Sequence, residues 1–332
     1  MRIVLILLLV TMEVVFSQSQ FSEISSLPGG FSRMGFGARG KAMGNAMTAI
    51  TTGNLVSYYN PALSVFQSGN SFQTSYSFLS LDRNLNFLSF TRKFEFGKKN
   101  KDGTEREKPR GVAGISVGII NASVGDFPER DNQGTITGSL SPFENQFFMG
   151  LALKISEKLA IGTSAKFYYS ALYEDISSTS LGFDIGILYK TDIGLVFAAT
   201  LTDLNSKYEW DTSDLYGQEG TNTVDKFPLL KKFAVSYAMN NEKIIFALEI
   251  ESSNAETNYL RFGTEYHINP NLVIRGGMDT FNLSNVDIPI RPSFGFSYNY
   301  NFGNFIGGID YAFVIEPYSL YDQHIVGLSF NL

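Results

Sequence analysis

The chain contains no cysteine, and its two histidines, His267 and His324, lie in separate segments. Disulfides and thiolate metal sites are therefore excluded, and zinc lacks its usual nitrogen and sulfur ligands. Carboxylates remain available for calcium, but no motif asks for a metal or a cofactor. Charge is also scarce: 17% of residues are Asp, Glu, Lys or Arg, against roughly a quarter in ordinary soluble domains. The net charge of −6 comes with no basic stripe, so a nucleic-acid partner is not expected. Beyond residue 16 no run approaches the roughly 18 apolar residues of a spanning helix.

The amino terminus, MRIVLILLLVTMEVVFSQSQ, has a positive Arg2, an apolar stretch and small residues at Val15 and Ser17. It reads as a signal peptide over residues 1–17, and the lack of a following cysteine excludes a lipoprotein anchor. Aromatic residues make up 14% of the chain. An exported chain with few charges, many aromatics and no second apolar helix has two main options. It is a soluble secreted β-protein or an outer-membrane β-barrel.

From about residue 70 the hydrophobic period is two. In NQFFMGLALKI, residues 145–155, Phe147, Met149, Leu151 and Leu153 alternate with Phe148, Gly150, Ala152 and Lys154. Phe294, Phe296, Tyr298 and Tyr300 alternate likewise with Ser293, Gly295, Ser297 and Asn299. One face is large and apolar, the other small or polar, over segments of about ten residues that suit tilted membrane-crossing strands. Fourteen such segments fall near 70–80, 85–96, 110–120, 145–155, 158–170, 179–190, 193–203, 229–239, 242–252, 257–267, 271–280, 291–302, 303–314 and 321–332. The expected fold is thus all-β, an antiparallel up-and-down transmembrane barrel in a bacterial outer membrane. Both ends of the barrel chain would lie on one side. Short joins at 156–157, 191–192, 240–241, 268–270 and 302–303 alternate with longer ones at 121–144, 171–178, 204–228, 253–256, 281–290 and 315–320. Short periplasmic turns and long outer loops have this asymmetry. The charged connection 97–110 breaks it, as a solvated loop or a periplasmic contact surface.

Charges within the strands test the inner face. Arg261 and Glu265 share one face of their strand, and Arg275 and Asp279 share one face of the next. A turn centred on Pro270 sets Arg261 opposite Asp279 and Glu265 opposite Arg275. Such cross-strand pairs stabilise by roughly 0.2–1 kcal/mol each, whereas an arginine facing mid-bilayer lipid costs about 2–4 kcal/mol. All four therefore belong in the lumen, and Lys166 and Asp184 form a further pair across 171–178. They rigidify the barrel or mark a permeation site.

The stretch MGFGARGKAMGNAMTA, residues 34–49, contains GxGxxG as Gly35, Gly37 and Gly40. A dinucleotide fingerprint needs a strand before it and a helix after it within a βαβ unit, and neither pattern is present. The P-loop match fails at Ala42, which lacks a Mg²⁺-binding hydroxyl. What remains is a small-residue segment that packs tightly against neighbours and folds back into the lumen, so residues 18–68 form a plug and 69–332 the barrel. Asn60-Pro61 marks a turn.

GARGKAMGNAMTA followed by YYNPALS resembles the amino-terminal signature of the PorV/PorQ family, within the wider FadL-like outer-membrane proteins. It maps onto Gly37, Ala38, Arg39, Met43, Gly44, Asn60, Pro61 and Ala62; Thr52-Gly53-Asn54 stands where an acidic pair is frequent. The resemblance implies two roles. One is a non-enzymatic barrel serving type IX-type secretion or surface assembly through protein partners, translocon or cargo. The other is FadL-like uptake of hydrophobic molecules such as long-chain fatty acids through a plugged barrel. Loop 204–228 has Tyr208, Trp210, Leu215 and Tyr216 among many acids, and 121–144 is polar apart from Phe127 and Phe143. Neither reads as a lipid groove, which favours the protein partner. Neither histidine has a serine and acid constellation around it, so catalysis is not expected.

Overall fold

A computed structural model describes residues 24, 26–97, 108–125, 127–173 and 176–332. The expected signal peptide and most of the charged connection 97–110 lie outside the described residues.

Fourteen strands close into an antiparallel barrel. In chain order they are β1 (Asn70–Phe78), β2 (Arg83–Phe96), β3 (Gly111–Val124), β6 (Phe143–Lys154), β7 (Leu159–Tyr173), β8 (Ile176–Lys190), β9 (Leu195–Leu204), β12 (Leu230–Met239), β13 (Ile244–Ser253), β14 (Asn258–His267), β15 (Leu272–Asn282), β16 (Arg291–Asn301), β17 (Ile306–Val314) and β18 (Gln323–Asn331). Each expected segment coincides with one of them. Two hairpins stand outside the wall: β4 (Phe127–Arg130) with β5 (Ile136–Leu140), and β10 (Lys207–Asp211) with β11 (Asn222–Lys226). β1 pairs with β18 along its length, from Ser71 opposite Asn331 to Phe78 opposite His324, which seals the cylinder.

Burial follows the alternation. Along β8 every even residue from Ile176 to Leu188 is buried, while Leu181, Phe183, Ile185, Ile187 and Tyr189 are exposed. The exposed row meets hydrocarbon, and barrel closure leaves no strand edge unpaired in it.

Loop lengths sort less cleanly than the sequence suggests. The segment 171–178 is mostly strand, because β7 and β8 run 15 residues each. The long segments 121–144 and 204–228 hold the two hairpins rather than open loop. Trp210 accordingly sits in a strand, against Tyr208 with ring centroids 5.2 Å apart.

Inside the wall lies the segment preceding β1. It contains a short helix α1 (Gly37–Ala42) and a 3-10 turn (Pro61–Phe66). Every residue from Gly35 to Ile50 and from Leu55 to Val65 is buried. This segment is the core of the molecule. Met43, Ile50, Leu55 and Leu63 are at most 1% exposed, although the strands around them present small or polar inner faces.

The small inner residues have a steric purpose. A Cβ on Gly162 would stand 2.5 Å from the Pro61 carbonyl carbon, and one on Gly186 would stand 2.0 Å from Asn60 Oδ1. Across the lumen, a Cβ on Gly277 would lie 2.2 Å from the Gly44 nitrogen. Ordinary carbon contacts lie at about 3.5–4.0 Å. The wall lacks side chains where the plug backbone rests on it.

Candidate functional site: the plug and its two cavities

The signature residues build the plug's contacts. Asn60 caps the 3-10 turn by accepting a 2.9 Å bond from the Ala62 amide, and its Nδ2 donates to the Thr48 carbonyl at 3.1 Å. Pro61 fills the first position of that turn, where its missing N–H goes unused. Ala38 joins Ala42 in a cluster with Ala312, Val314 and Ile325 of β17 and β18. Gly44 has φ 58, the left-handed region that glycine occupies without strain, and lies against the Met278 backbone. Met43 is fully buried between that contact and Gly263.

Arg39 is the main polar anchor. Its Nε and Nη2 donate to both oxygens of Glu265, at 2.9 and 3.1 Å, while Nη1 donates to the carbonyls of Thr52 (2.7 Å) and Asn54 (3.1 Å). One guanidinium thus ties α1, the lower plug loop and strand β14 together. Glu265 also accepts from Arg275 Nε at 2.6 Å and sits 3.0 Å from His267 Nε2. Fork-to-carboxylate bonding of this kind is among the stronger hydrogen bonds a protein makes.

All six charges assigned to the lumen face inward and are buried. Glu265 stands opposite Arg275, as the sequence register requires. Arg261 does not stand directly opposite Asp279, because a bulge between Leu260 and Phe262 shifts the ladder; Thr280 sits at φ 56 on the partner strand. The pair forms nonetheless, with Nε 2.7 Å from Asp279 Oδ1. Lys166 and Asp184 are diagonal neighbours, since Lys166 opposes Gly182, and their atoms meet at 2.8 Å.

The structure adds partners that the sequence reading omitted. Arg261 Nη1 lies 3.2 Å from Glu249 and 2.9 Å from Glu251, and Lys232 is 3.2 Å from Glu251. Asn45 Nδ2 and the Thr48 amide join this cluster to the plug, at 2.9 Å from Asp279 and 3.3 Å from Glu249. Glu249 and Glu251 alternate with Leu248 and Ile250, so the same period-two rule marks them. Asp203 escapes that rule. It occupies a bulge at φ 64, which turns it inward to Lys166 (3.1 Å) and Tyr168 (2.5 Å).

Two of the cavities against the plug differ in character. The upper one, about 440 Å³, lies toward the end of the barrel that carries the two hairpins and is lined chiefly by Phe31, Met34, Leu79, Leu85, Phe143 and Leu172. A chain of rings links its Phe31 to the β10–β11 hairpin: Phe31 meets Tyr168, Tyr168 meets Phe227, and Phe227 meets Tyr208. Burial, and then the neighbouring Glu144 carboxylate, push the Tyr208 phenol up; its hydroxyl donates to Glu144 at 3.2 Å. The lower cavity, about 190 Å³, lies toward the end where Asn70 and Leu332 pair and is bordered by Phe36, Arg39, Gln73, Ser75, Arg275 and Asn331, among others.

The strap Met34-Gly35-Phe36 carries the chain from one cavity to the other. Two tyrosine hydroxyls hold it. Tyr58 accepts from the Gly35 amide (3.1 Å) and donates to the Ser32 carbonyl (2.8 Å), while Tyr59 accepts from the Phe36 amide (2.9 Å) and has the Phe36 carbonyl (3.0 Å) and Asn45 Oδ1 (2.9 Å) as acceptors for its one proton. The Phe36 ring packs against Phe87, Phe148 and Tyr58 with centroids 4.9, 5.8 and 5.6 Å away.

This architecture recurs in solved structures. CymD, a monoaromatic hydrocarbon channel, superposes with a TM-score of 0.60 over 90% of this chain and 97% of its own, at 14% identity. The likeness is one of fold. A TodX monoaromatic hydrocarbon channel lacking S2 and S3 gives 0.57 over 89% and 98%, at 15% identity. The toluene transporter TbuX of Ralstonia pickettii gives 0.57 over 89% and 97%, at 12% identity. No family model and no curated protein sequence matches this chain. Outer-membrane channels share its closed strand architecture, in keeping with a location in the bacterial outer membrane.

Proposed function

We propose that the chain is an outer-membrane channel that takes up small hydrophobic molecules. The observation carrying this reading is the apolar cavity at the extracellular mouth, seated on Phe31 and Met34 of the plug. Enclosing an apolar solute there is favoured at about 25 cal/mol per Å² removed from water. Solved structures of like fold are described as hydrocarbon channels and a toluene transporter, which supports uptake ahead of protein secretion and accords with a non-enzymatic role. The secretion role was the first expectation from sequence. Its support is the PorV/PorQ resemblance of residues 37–62 and the polar character of the outer loops.

The aromatic chain from Phe31 to Trp210 supplies the assay, because the protein has a single tryptophan. Titrating toluene or a medium-chain fatty acid into the purified barrel changes Trp210 fluorescence saturably. Phe31→Ala weakens the response by removing the cavity floor. A saturable response that Phe31→Ala leaves untouched places the ligand elsewhere, and no response to any hydrophobic probe refutes the reading.

A further inference from the structure

The lower cavity has a chemistry unlike the upper one. Around the inner wall, Glu265, Arg275, Ser297, Asp310, Gly327 and Ser75 follow one another on successive strands, Arg275 being opposite Gly295 and diagonal to Ser297. Hydrogen bonds run along it from Arg39 to Glu265, from Arg275 to both Glu265 and Ser297, and from Ser297 to Asp310. The chain then meets Gly327, which has no side chain to continue it.

Beyond that gap stands Ser75, 8% exposed, with no partner for its hydroxyl. Gln73 Nε2 and Asn331 Oδ1, also bordering the cavity, are buried and unpartnered as well. These are a donor, an acceptor and a group that does both. The charges nearby already balance, Arg39 and Arg275 against Glu265 and Asp310. An ionic ligand would add an uncompensated charge to a confined space. A hydrocarbon would leave all three groups unpaired.

We infer that this cavity is a binding site for a small neutral polyol, in the size range from glycerol to a monosaccharide, entering from the periplasmic side. Hydroxyl groups both donate and accept, so a polyol hydroxyl suits each of Gln73, Ser75 and Asn331, which follow one another along the β1–β18 seam. The site is independent of the uptake reading, which rests on the other side of the plug.

Saturation-transfer NMR on the full chain tests this, with glycerol, erythritol and glucose as probes. The barrel is held in an amine-oxide detergent, whose headgroup is not a sugar. Saturable binding of at least one probe in the millimolar range is expected. Gln73→Leu and Asn331→Leu, both near the periplasmic end, each weaken it about 5- to 10-fold, the loss of one net hydrogen bond of roughly 1 kcal/mol. Phe31→Ala leaves it unchanged, so failure here is distinct from failure of the upper site. If no probe saturates a heat-modifiable, folded barrel, or if toluene displaces the polyol, the inference is overturned. Binding that survives both substitutions overturns it equally.

Discussion

Gly277→Ala adds one methyl group to the wall where the plug backbone comes closest. That Cβ would sit 2.2 Å from the Gly44 nitrogen and 2.4 Å from the Met43 carbonyl carbon. Relief to an ordinary contact of about 3.5 Å requires a displacement of more than 1 Å. The obstacle is backbone rather than the end of a flexible side chain, so the plug corner must move as a unit. Its retreat disturbs the Asn45–Asp279 bond and the Met43 contact with Gly263. Overpacking of this kind costs about 1–3 kcal/mol, small against the fourteen-stranded wall but concentrated on the plug. The expected outcome is a barrel that still resists SDS below its unfolding temperature, with higher ion conductance in planar bilayers and a plug more open to protease from the periplasmic face. Gly111→Ala is the control, since its Cβ meets nothing within 4 Å. A folded Gly277→Ala barrel with wild-type conductance and protease resistance would refute the idea that missing side chains on the wall seat the plug.

Arg39→Ala removes four hydrogen bonds at once and is expected to lower plug stability by about 3 kcal/mol, the usual cost of breaking a buried pair; thermal unfolding of the plug by hydrogen exchange measures it. Tyr59→Phe takes away the hydroxyl that bonds to Phe36 and Asn45, so the strap loosens by about 1–2 kcal/mol, read as faster exchange of the Gly35 and Phe36 amides. Arg275→Glu destabilises the lumen, and adding Glu265→Arg restores little, because the new arginine faces Arg39 as well; a double variant melting near wild type would show that Arg39 is not engaged with position 265. Asp203→Ala leaves Lys166 with Asp184 alone and lowers the barrel's melting temperature, whereas an unchanged value would mean that the bulge carries no electrostatic share.

The strand count was legible because lipid on one side and plug on the other impose different demands on alternate residues. Lys166, Asp184, Arg261, Glu265, Arg275 and Asp279 were legible for the same reason: a charge cannot stay on the lipid-facing parity. Asp203 was not, because the bulge breaks the count that parity depends on. The hairpin inside 204–228 was hidden by its acids; the pairing that buries Tyr208 against the barrel mouth depends on Phe227, Glu144 and the wall, far apart in sequence. The two cavities were invisible for a related reason. Each is bounded by side chains from several strands and the plug, and a period of two says which way a residue points but not what stands across from it.

The seam between first and last strands carries a consequence for biogenesis. Asn70 and Leu332 exchange two backbone hydrogen bonds of 2.9 Å where the cylinder closes. The interior segment comes before Asn70 in the chain and touches strands all around the circumference, β3 and β7 on one side and β16 and β17 on another. Seating it before the seam joins spares the chain from drawing so buried a segment through an open end of the cylinder, so closure at residues 70 and 332 is expected to come last.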